Sequence, residues 1–195
     1  MSSINNFEFV LPTKIIFGEG TINQLPDAVR NMGHEKPLIV TDKGLIAAGL
    51  VSKITDVLDD AGIEYAIFDG IQPNPRDTTV QEAAAFAEEN AIDMMIAIGG
   101  GSSMDTAKAI GVILKEGGII NDYEGLDVVS KPITDLIAIP TTVGTGSEVT
   151  FWSVITDTKR HFKMSVGSPL IAAKLAIVDP DLVETLPPSI IAATG

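Results

Sequence analysis

The stretch Gly99–Lys108, GGGSSMDTAK, decides the fold, because three glycines stand between an apolar run and a helical pattern. The run before it, Met94–Ile98 (MMIAI), is apolar without alternation, which is typical of a strand buried on both faces of a parallel sheet. The residues after it, Ser103–Leu114, carry apolar side chains at helical spacing. Together these parts predict one strand–loop–helix unit of an α/β domain.

Similar units lie on both sides of this one. Two segments, Leu45–Ala61 and Thr79–Asn90, have helical periodicity, and Gly62 can end the first of them. The repeated strand–helix order predicts an α/β fold with a doubly wound, mostly parallel sheet. The other predicted buried strands are Pro37–Thr41, Glu64–Phe68, Leu136–Pro140 and Leu175–Val178.

Two pairs of segments depart from this order. Ser153–Asp157 and Phe162–Val166 flank a polar turn, which predicts a β-hairpin. Phe7–Val10 and Lys14–Phe17 could pair as a hairpin or an edge ribbon before the sheet begins.

Composition excludes several classes of function. The net charge of −13 disfavours nucleic acid and anionic membranes as partners. The chain contains no cysteine, so it has neither disulfides nor thiolate metal sites. It has no apolar run approaching ~20 residues, and Met1–Pro12 lacks the pattern of a signal peptide. We therefore expect a cytoplasmic protein.

The glycine run is a candidate phosphate site. Glycines let a phosphate approach the backbone, and the free N–H groups at a helix start can bind its charge. It is not the dinucleotide fingerprint G-x-G-x-x-G, because Met104 stands at the third glycine position, and no G-K-[ST] follows as in a Walker loop. A glycine-rich turn that only packs helix on strand explains the same residues equally well.

Asp42 follows the strand Pro37–Thr41 and has two interpretations. A carboxylate there can accept hydrogen bonds from the ribose of a dinucleotide. In a dinucleotide unit, however, the glycine loop comes before the acid, whereas Asp42 comes 57 residues before Gly99. By itself, the position favours a helix N-cap.

Two further loops follow predicted strands. Ile139–Thr150, IPTTVGTGSEVT, is dense in hydroxyls and glycines, which favours a polar ligand over a solvated loop. Gln72–Asp77, QPNPRD, is interpreted as a plain rigid turn. His34 and His161 are expected at the surface, and their separation does not suit a metal site.

In combination, these segments resemble the iron-containing (group III) alcohol dehydrogenase family. GGGSSMDTAKAIG at Gly99–Gly111 is similar to the family pattern GGGS-x-x-D-x-A-K, and Ile139–Thr150 is similar to a second family signature. VTDKG at Val40–Gly44, PNP at Pro73–Pro75 and DP-x-L at Asp179–Leu182 also fit, in the same order. The resemblance covers essentially the whole chain and places the glycine loop on a later strand than usual.

The resemblance implies a dinucleotide-binding domain over residues 1–180 with NAD as cofactor. Asp42 would face the adenosine ribose and favour NAD over NADP, and Lys163 would lie near the nicotinamide ribose. Trp152 stands where some members carry a polar cofactor contact. The other implied cofactor contacts are Asn74, Gly99, Gly100, Gly101, Ser102, Asp105, Thr141, Thr142, Thr145, Ser147, Val149 and Leu182.

The resemblance also implies a second part of the protein. Residues 181–195 would begin a truncated helical domain that binds iron, or zinc, through one aspartate and three histidines, none of them in this chain. Pro187–Ser189 suits a helix start. The substrates would be small primary alcohols or diols and their aldehydes, and the full-length enzyme a homo-oligomer. The alternatives are a polyol or polyol-phosphate dehydrogenase, and a non-catalytic NAD-binding module.

Overall fold

Nine strands lie within residues 10–184, the part of the chain that the computed structural model describes. Six of them form one parallel sheet and three form a smaller sheet beside it. The strands are β1 (Lys14–Phe17), β2 (Pro37–Val40), β3 (Ala66–Phe68), β4 (Met94–Gly99), β5 (Gly125–Leu126), β6 (Leu136–Pro140), β7 (Trp152–Asp157), β8 (Phe162–Gly167) and β9 (Leu175–Val178).

The large sheet has the order β1-β9-β6-β4-β2-β3, and every neighbouring pair in it is parallel. Residues of β4 and β6 are buried throughout, as continuous apolar runs require when both faces are covered. The predicted doubly wound α/β fold is therefore confirmed.

Helices cover both faces of this sheet. β2 shows the division, since Ile39 packs in the core on the side of α1 and α3, whereas Leu38 and Val40 pack on the side of α4 and α5. The helices are α1 (Leu25–Asn31), α2 (Lys43–Ala47), α3 (Leu50–Asp60), α4 (Asp77–Glu89) and α5 (Gly101–Glu116), with 3-10 turns at Thr21–Gln24, Ile120–Tyr123, Pro169–Ile171 and Pro180–Leu182.

The chain reverses its direction across the sheet between β2 and β4. From β2 it passes to β3 on one side, and from β4 it passes to β6 on the other. The loops that follow β2 and β4 therefore diverge and leave a crevice at the carboxyl edge, where open α/β sheets bind their ligands.

The predicted hairpin at Ser153–Asp157 and Phe162–Val166 is confirmed by β7 and β8, which pair antiparallel. β5 joins β8 in the same small sheet. α5 packs against both β4 and β7, so the small sheet lies against the large one through this helix.

The single helix predicted over Leu45–Ala61 is wrong. The structure divides it into α2 and α3 at Gly49, whose φ of 72° is left-handed. Glycine adopts this conformation without the penalty that a Cβ would bring, so the chain turns there. None of the residues of α2 is buried, which explains why the apolar spacing across the break was misleading.

The prediction that Lys14–Phe17 lies before the sheet is wrong, whereas its pairing with Phe7–Val10 stays a prediction. This segment is β1, an edge strand of the large sheet, parallel to β9 with Lys14 opposite Leu175. Its predicted partner, Phe7–Val10, lies outside the described residues except for Val10, as does the predicted helix start at Pro187–Ser189. Within residues 10–184, the helices are too short or too polar to cross a membrane.

Candidate functional site

A crevice of about 560 Å³ opens at the carboxyl edge of the sheet, at the point where the strand order reverses. Segments that follow β2, β3, β4 and β6 form its walls. Its lining residues are Asp42, Lys43, Gly44, Asp69, Gly70, Ile71, Gln72, Pro73, Gly100, Gly101, Ser102, Ser103, Thr142, Val143 and Thr145.

The glycine run forms one wall because it carries the chain from β4 into α5. Gly99 has a φ of 145°, which side chains rarely adopt, and Gly100 is the N-cap of α5. Gly100 has no side chain to cap the helix, so N–H groups of the first turn are left for a ligand or solvent. A helix start of this kind is suited to an anion.

Threonines on the loop after β6 face this helix start. A Cβ at Gly100 would lie 3.0 Å from Thr142 Oγ1, and one at Gly101 would lie 3.5 Å from the Cβ of Thr145. Thr142 Oγ1 is buried and has no hydrogen-bond partner among the described residues. A buried hydroxyl of this kind needs a partner, and a ligand in the crevice can supply it.

Asp42 lies across the crevice and takes one of the two roles that the sequence left open, that of a helix N-cap. Its Oδ1 accepts a hydrogen bond of 3.0 Å from the backbone N–H of Leu45, which makes Asp42 the N-cap of α2. The same residue lines the crevice, together with Lys43 and Asp69. Capping uses one carboxylate oxygen and leaves acceptor capacity for a ligand hydroxyl.

Asp105 is directed away from the crevice, toward the loop after β6. Its Oδ1 accepts a hydrogen bond of 2.6 Å from the hydroxyl of Ser147, and its Oδ2 accepts one of 3.1 Å from the N–H of Val154. Lys108, one turn further along α5, donates to the backbone oxygen of Ser147 at 2.7 Å. Asp105 and Lys108 therefore attach the crevice loop to α5.

Burial shifts both ionisable groups. It raises the pKa of Asp105, against the opposing effects of the Ser147 hydrogen bond and the Lys108 charge. It lowers the pKa of Lys108 to about 8, while the negative charges of Asp105 and Glu148 oppose that shift. In each case the charged form loses hydration that its partners only partly replace.

The remaining sequence-predicted residues lie outside the lining. Asn74 is exposed in the turn after β3 with a φ of 58°, and Lys163 is exposed on β8. Leu182 is 1% exposed in the apolar core on the side of α1 and α3. Thr141 is fully buried at the end of β6, and Val149 is half-buried on the loop that follows.

Sequence reasoning missed part of the site. Gln72 and Pro73 were interpreted as a plain turn, yet they line the crevice together with Asp69. Their position directly after a predicted parallel strand could have indicated the site, because the carboxyl ends of parallel strands lie at one edge of the sheet, where ligands bind. His34, predicted at the surface, is instead half-buried between Asp93 and Asp135, with Nε2 3.1 Å from Asp135 Oδ2.

A metal centre is not part of this site as far as the structure describes it. Within residues 10–184, no group of three or more His, Cys, Asp or Glu side chains could hold a metal ion. The residues present therefore do not fit a catalytic transition metal, which needs about three or four protein ligands.

Fold and crevice define a class: a doubly wound α/β domain whose ligand crevice lies at the switch point of a parallel sheet. Residues 12–180 match the model of the family described as iron-containing alcohol dehydrogenase. The chain belongs to this family, which confirms the resemblance drawn from its motifs.

Individual relatives extend this result. The chain is 44% identical to choline dehydrogenase of Bacillus subtilis (strain 168), over 100% of this chain and 49% of the relative. It is 44% identical to lactaldehyde reductase of Escherichia coli (strain K12), over 92% of this chain and 47% of the relative. The chain thus spans about half the length of the curated relatives it matches.

A solved structure supports the fold with similar coverage. The sulfoacetaldehyde reductase of Bifidobacterium kashiwanohense, solved in complex with NAD+, superposes with a TM-score of 0.91 and 34% identity. The match covers 97% of this chain and 50% of that structure.

Proposed function

We propose that this chain is the NAD-binding half of an NAD-dependent alcohol dehydrogenase. The observation that carries the proposal is one crevice that brings together the glycine start of α5, the carboxylate of Asp42 and the hydroxyl of Thr142, which has no partner within residues 10–184. The helix start and the Thr142 hydroxyl are complementary to the phosphates of a dinucleotide, and the Asp42 carboxylate is complementary to its ribose hydroxyls. The similarity to an NAD+ complex supports the same cofactor.

In this proposal, each wall of the crevice holds one part of NAD. The N–H groups of Gly101 and Ser102 would bind the pyrophosphate, with Thr142 and Thr145 facing it from the opposite loop. Asp42 would accept hydrogen bonds from the adenosine ribose. The contacts predicted for the other site residues, among them Asn74, Lys163 and Leu182, remain part of the proposal. The bound nicotinamide would accept or give the hydride.

The proposed substrates are small primary alcohols or diols and the corresponding aldehydes. The names of the relatives favour alcohols and aldehydes as substrates, since choline is an alcohol and lactaldehyde and sulfoacetaldehyde are aldehydes. A metal, iron or zinc, would be bound outside the described residues. The cytoplasmic location and the homo-oligomeric state also remain proposals.

Calorimetric titration of the purified chain with NAD+ tests the binding half of the proposal. We expect saturable binding with one site per chain. A monodisperse, folded sample that shows no binding at millimolar NAD+ would contradict a preformed site. A matched titration with NADP+ is the control, because Asp42 should repel the additional phosphate.

A further inference from the structure

The side chain of Lys108, which belongs to α5, is fully buried, and Lys108 is not among the residues that line the crevice. Its ammonium donates to four oxygen atoms. Two belong to Ser147 (the backbone oxygen at 2.7 Å and Oγ at 3.1 Å), and the others are Thr150 Oγ1 at 3.4 Å and the backbone oxygen of Trp152 at 2.8 Å. All four acceptors belong to residues 147–152, immediately after the crevice loop.

The residues just before this segment need such an anchor. Thr145 lies between Gly144 and Gly146, whose φ angles of 94° and 65° are both left-handed. Glycines allow many backbone conformations, so they do not fix Thr145 themselves. The position of Thr145 opposite Gly101 therefore depends on what holds Ser147, two residues later.

We propose that Lys108 is a positioning residue for NAD: its ammonium fixes residues 147–152 on α5 and thereby holds Thr142 and Thr145 against the glycine start of that helix. The inference rests on the proposed function, because NAD is the ligand that the loop would serve. Lys108 does not line the crevice, so it acts only through the loop.

The protonation state of Lys108 follows from the groups that face it. Asp105 on α5 and Glu148 on the loop are the negative charges that favour the ammonium, and burial opposes them. Because the resulting pKa is about 8, mildly alkaline solution converts the ammonium into an amine. The amine has fewer protons to donate and no attraction to Asp105. NAD affinity should therefore fall as the pH rises through this range.

The experiment is an NAD+ titration of the full protein that carries this chain, between pH 6.5 and 9.5, for the wild type and for Lys108→Met. At neutral pH we expect the variant to bind NAD+ about tenfold more weakly, the effect of losing hydrogen bonds to a charged donor. Wild-type affinity should fall toward the variant's value above pH 8, whereas the variant's affinity should be independent of pH. Lys115→Met, exposed near the end of the same helix, is the matched control and should behave as the wild type.

Two outcomes would overturn the inference: wild-type NAD+ affinity in folded Lys108→Met, or the same pH dependence in both proteins. If Lys108→Met does not fold, Lys108→Gln, which removes the buried charge but keeps a hydrogen-bond donor, is titrated instead. If neither variant folds, the wild-type profile decides, since an affinity that is constant from pH 7 to 9.5 refutes the role of Lys108. If the wild type itself does not bind NAD+, the proposed function fails, which is a different result.

Discussion

The Nζ atom of Lys108 and the backbone oxygen of Ser147 lie 2.7 Å apart, although 39 residues separate them in the chain. This contact joins the helix after β4 to the loop after β6, and both elements form walls of the crevice. A buried ammonium is costly, and the four oxygen atoms that surround the ammonium of Lys108 offset only part of that cost. The contact therefore links the stability of the domain to the shape of its site.

The first prediction concerns stability and pH. Lys108 has a folded pKa of about 8, against an ordinary value of 10.5. Below pH 8 the Lys108 side chain is charged in both the folded and the unfolded protein. The net penalty for holding this charge in the folded protein then opposes folding by roughly 3 kcal/mol. Between pH 8 and 10.5 the folded state releases its proton first, so the penalty shrinks and stability rises.

Urea denaturation at pH 7 and pH 9.5 checks this sign. Relative to Lys108→Met, the free energy of unfolding of the wild type should increase by about 2 kcal/mol from pH 7 to pH 9.5. Equal pH dependence of unfolding in the two proteins would show that Lys108 is not buried as an ammonium. NAD affinity should fall over the same pH interval in which stability rises, a combination that general loosening of the fold cannot produce.

A second prediction concerns Gly101. An added Cβ there meets only ordinary contacts, 3.5 Å from Thr145, in regular helix geometry. We expect Gly101→Val to keep the fold, as measured by circular dichroism and thermal unfolding. It should weaken NAD+ binding by more than about tenfold, because the side chain overlaps the ligand. Gly101→Ala, with a smaller side chain, should give an intermediate loss, and normal binding by a folded Gly101→Val would exclude the proposed phosphate site.

Substitution of Gly99, two residues earlier, should have the opposite effect and lower stability. Gly99 has a φ of 145°, and a Cβ there would overlap the hydroxyl of Ser103. Gly99→Ala should therefore lower the free energy of unfolding by about 2–4 kcal/mol, through backbone strain and overlap. Chemical denaturation of Gly99→Ala and Gly101→Ala side by side gives the comparison. Equal stability of the two variants would mean that the turn after β4 is not strained as described.

The two roles of Asp42 can be separated by Asp42→Asn. Asparagine caps helices as well as aspartate, so the hydrogen bond to Leu45 and the melting temperature should persist. The lost charge should narrow the preference for NAD over NADP by about tenfold, since a pair of unit charges at ~4 Å interacts by about 1–4 kcal/mol. The measurement is the ratio of catalytic efficiencies in the full protein, with Asp60→Asn, exposed on α3, as control. An unchanged ratio would leave Asp42 as a helix cap alone.

The last prediction is that the purified 195-residue chain neither holds stoichiometric iron or zinc nor reduces NAD. Residues 10–184 contain no group of metal-binding side chains, and removal of a catalytic metal costs several kcal/mol of transition-state stabilisation. Metal analysis and an NAD-reduction assay with ethanol, propanol and 1,2-propanediol check both statements. One mole of tightly held metal per chain, or turnover that scales with added metal, would show that the chemistry lies within this chain.

The sequence by itself determined the family, the type of sheet and the hairpin, but not every helix and strand. Continuous apolar runs such as Met94–Ile98 are typical of strands that are covered on both faces, so they indicated the parallel sheet without any knowledge of strand order. The polar turn before Phe162 marked the hairpin in the same local way. The one helix predicted too long, over Leu45–Ala61, failed because its break depends on the backbone angle of Gly49.

The tertiary structure alone decided which side chains meet. The sequence placed Lys108 at the end of the family pattern GGGS-x-x-D-x-A-K without a role, and only the packing of α5 beside the loop after β6 surrounds its ammonium with oxygen atoms. Gln72 joins Asp42 and Gly100 in one crevice because β3, β2 and β4 are neighbours in the sheet, in an order that differs from their order in the chain. Hydrophobic spacing is a local property, so it can be recognised in the sequence. Strand order depends on the packing of distant segments, so the site forms only when the sheet is complete.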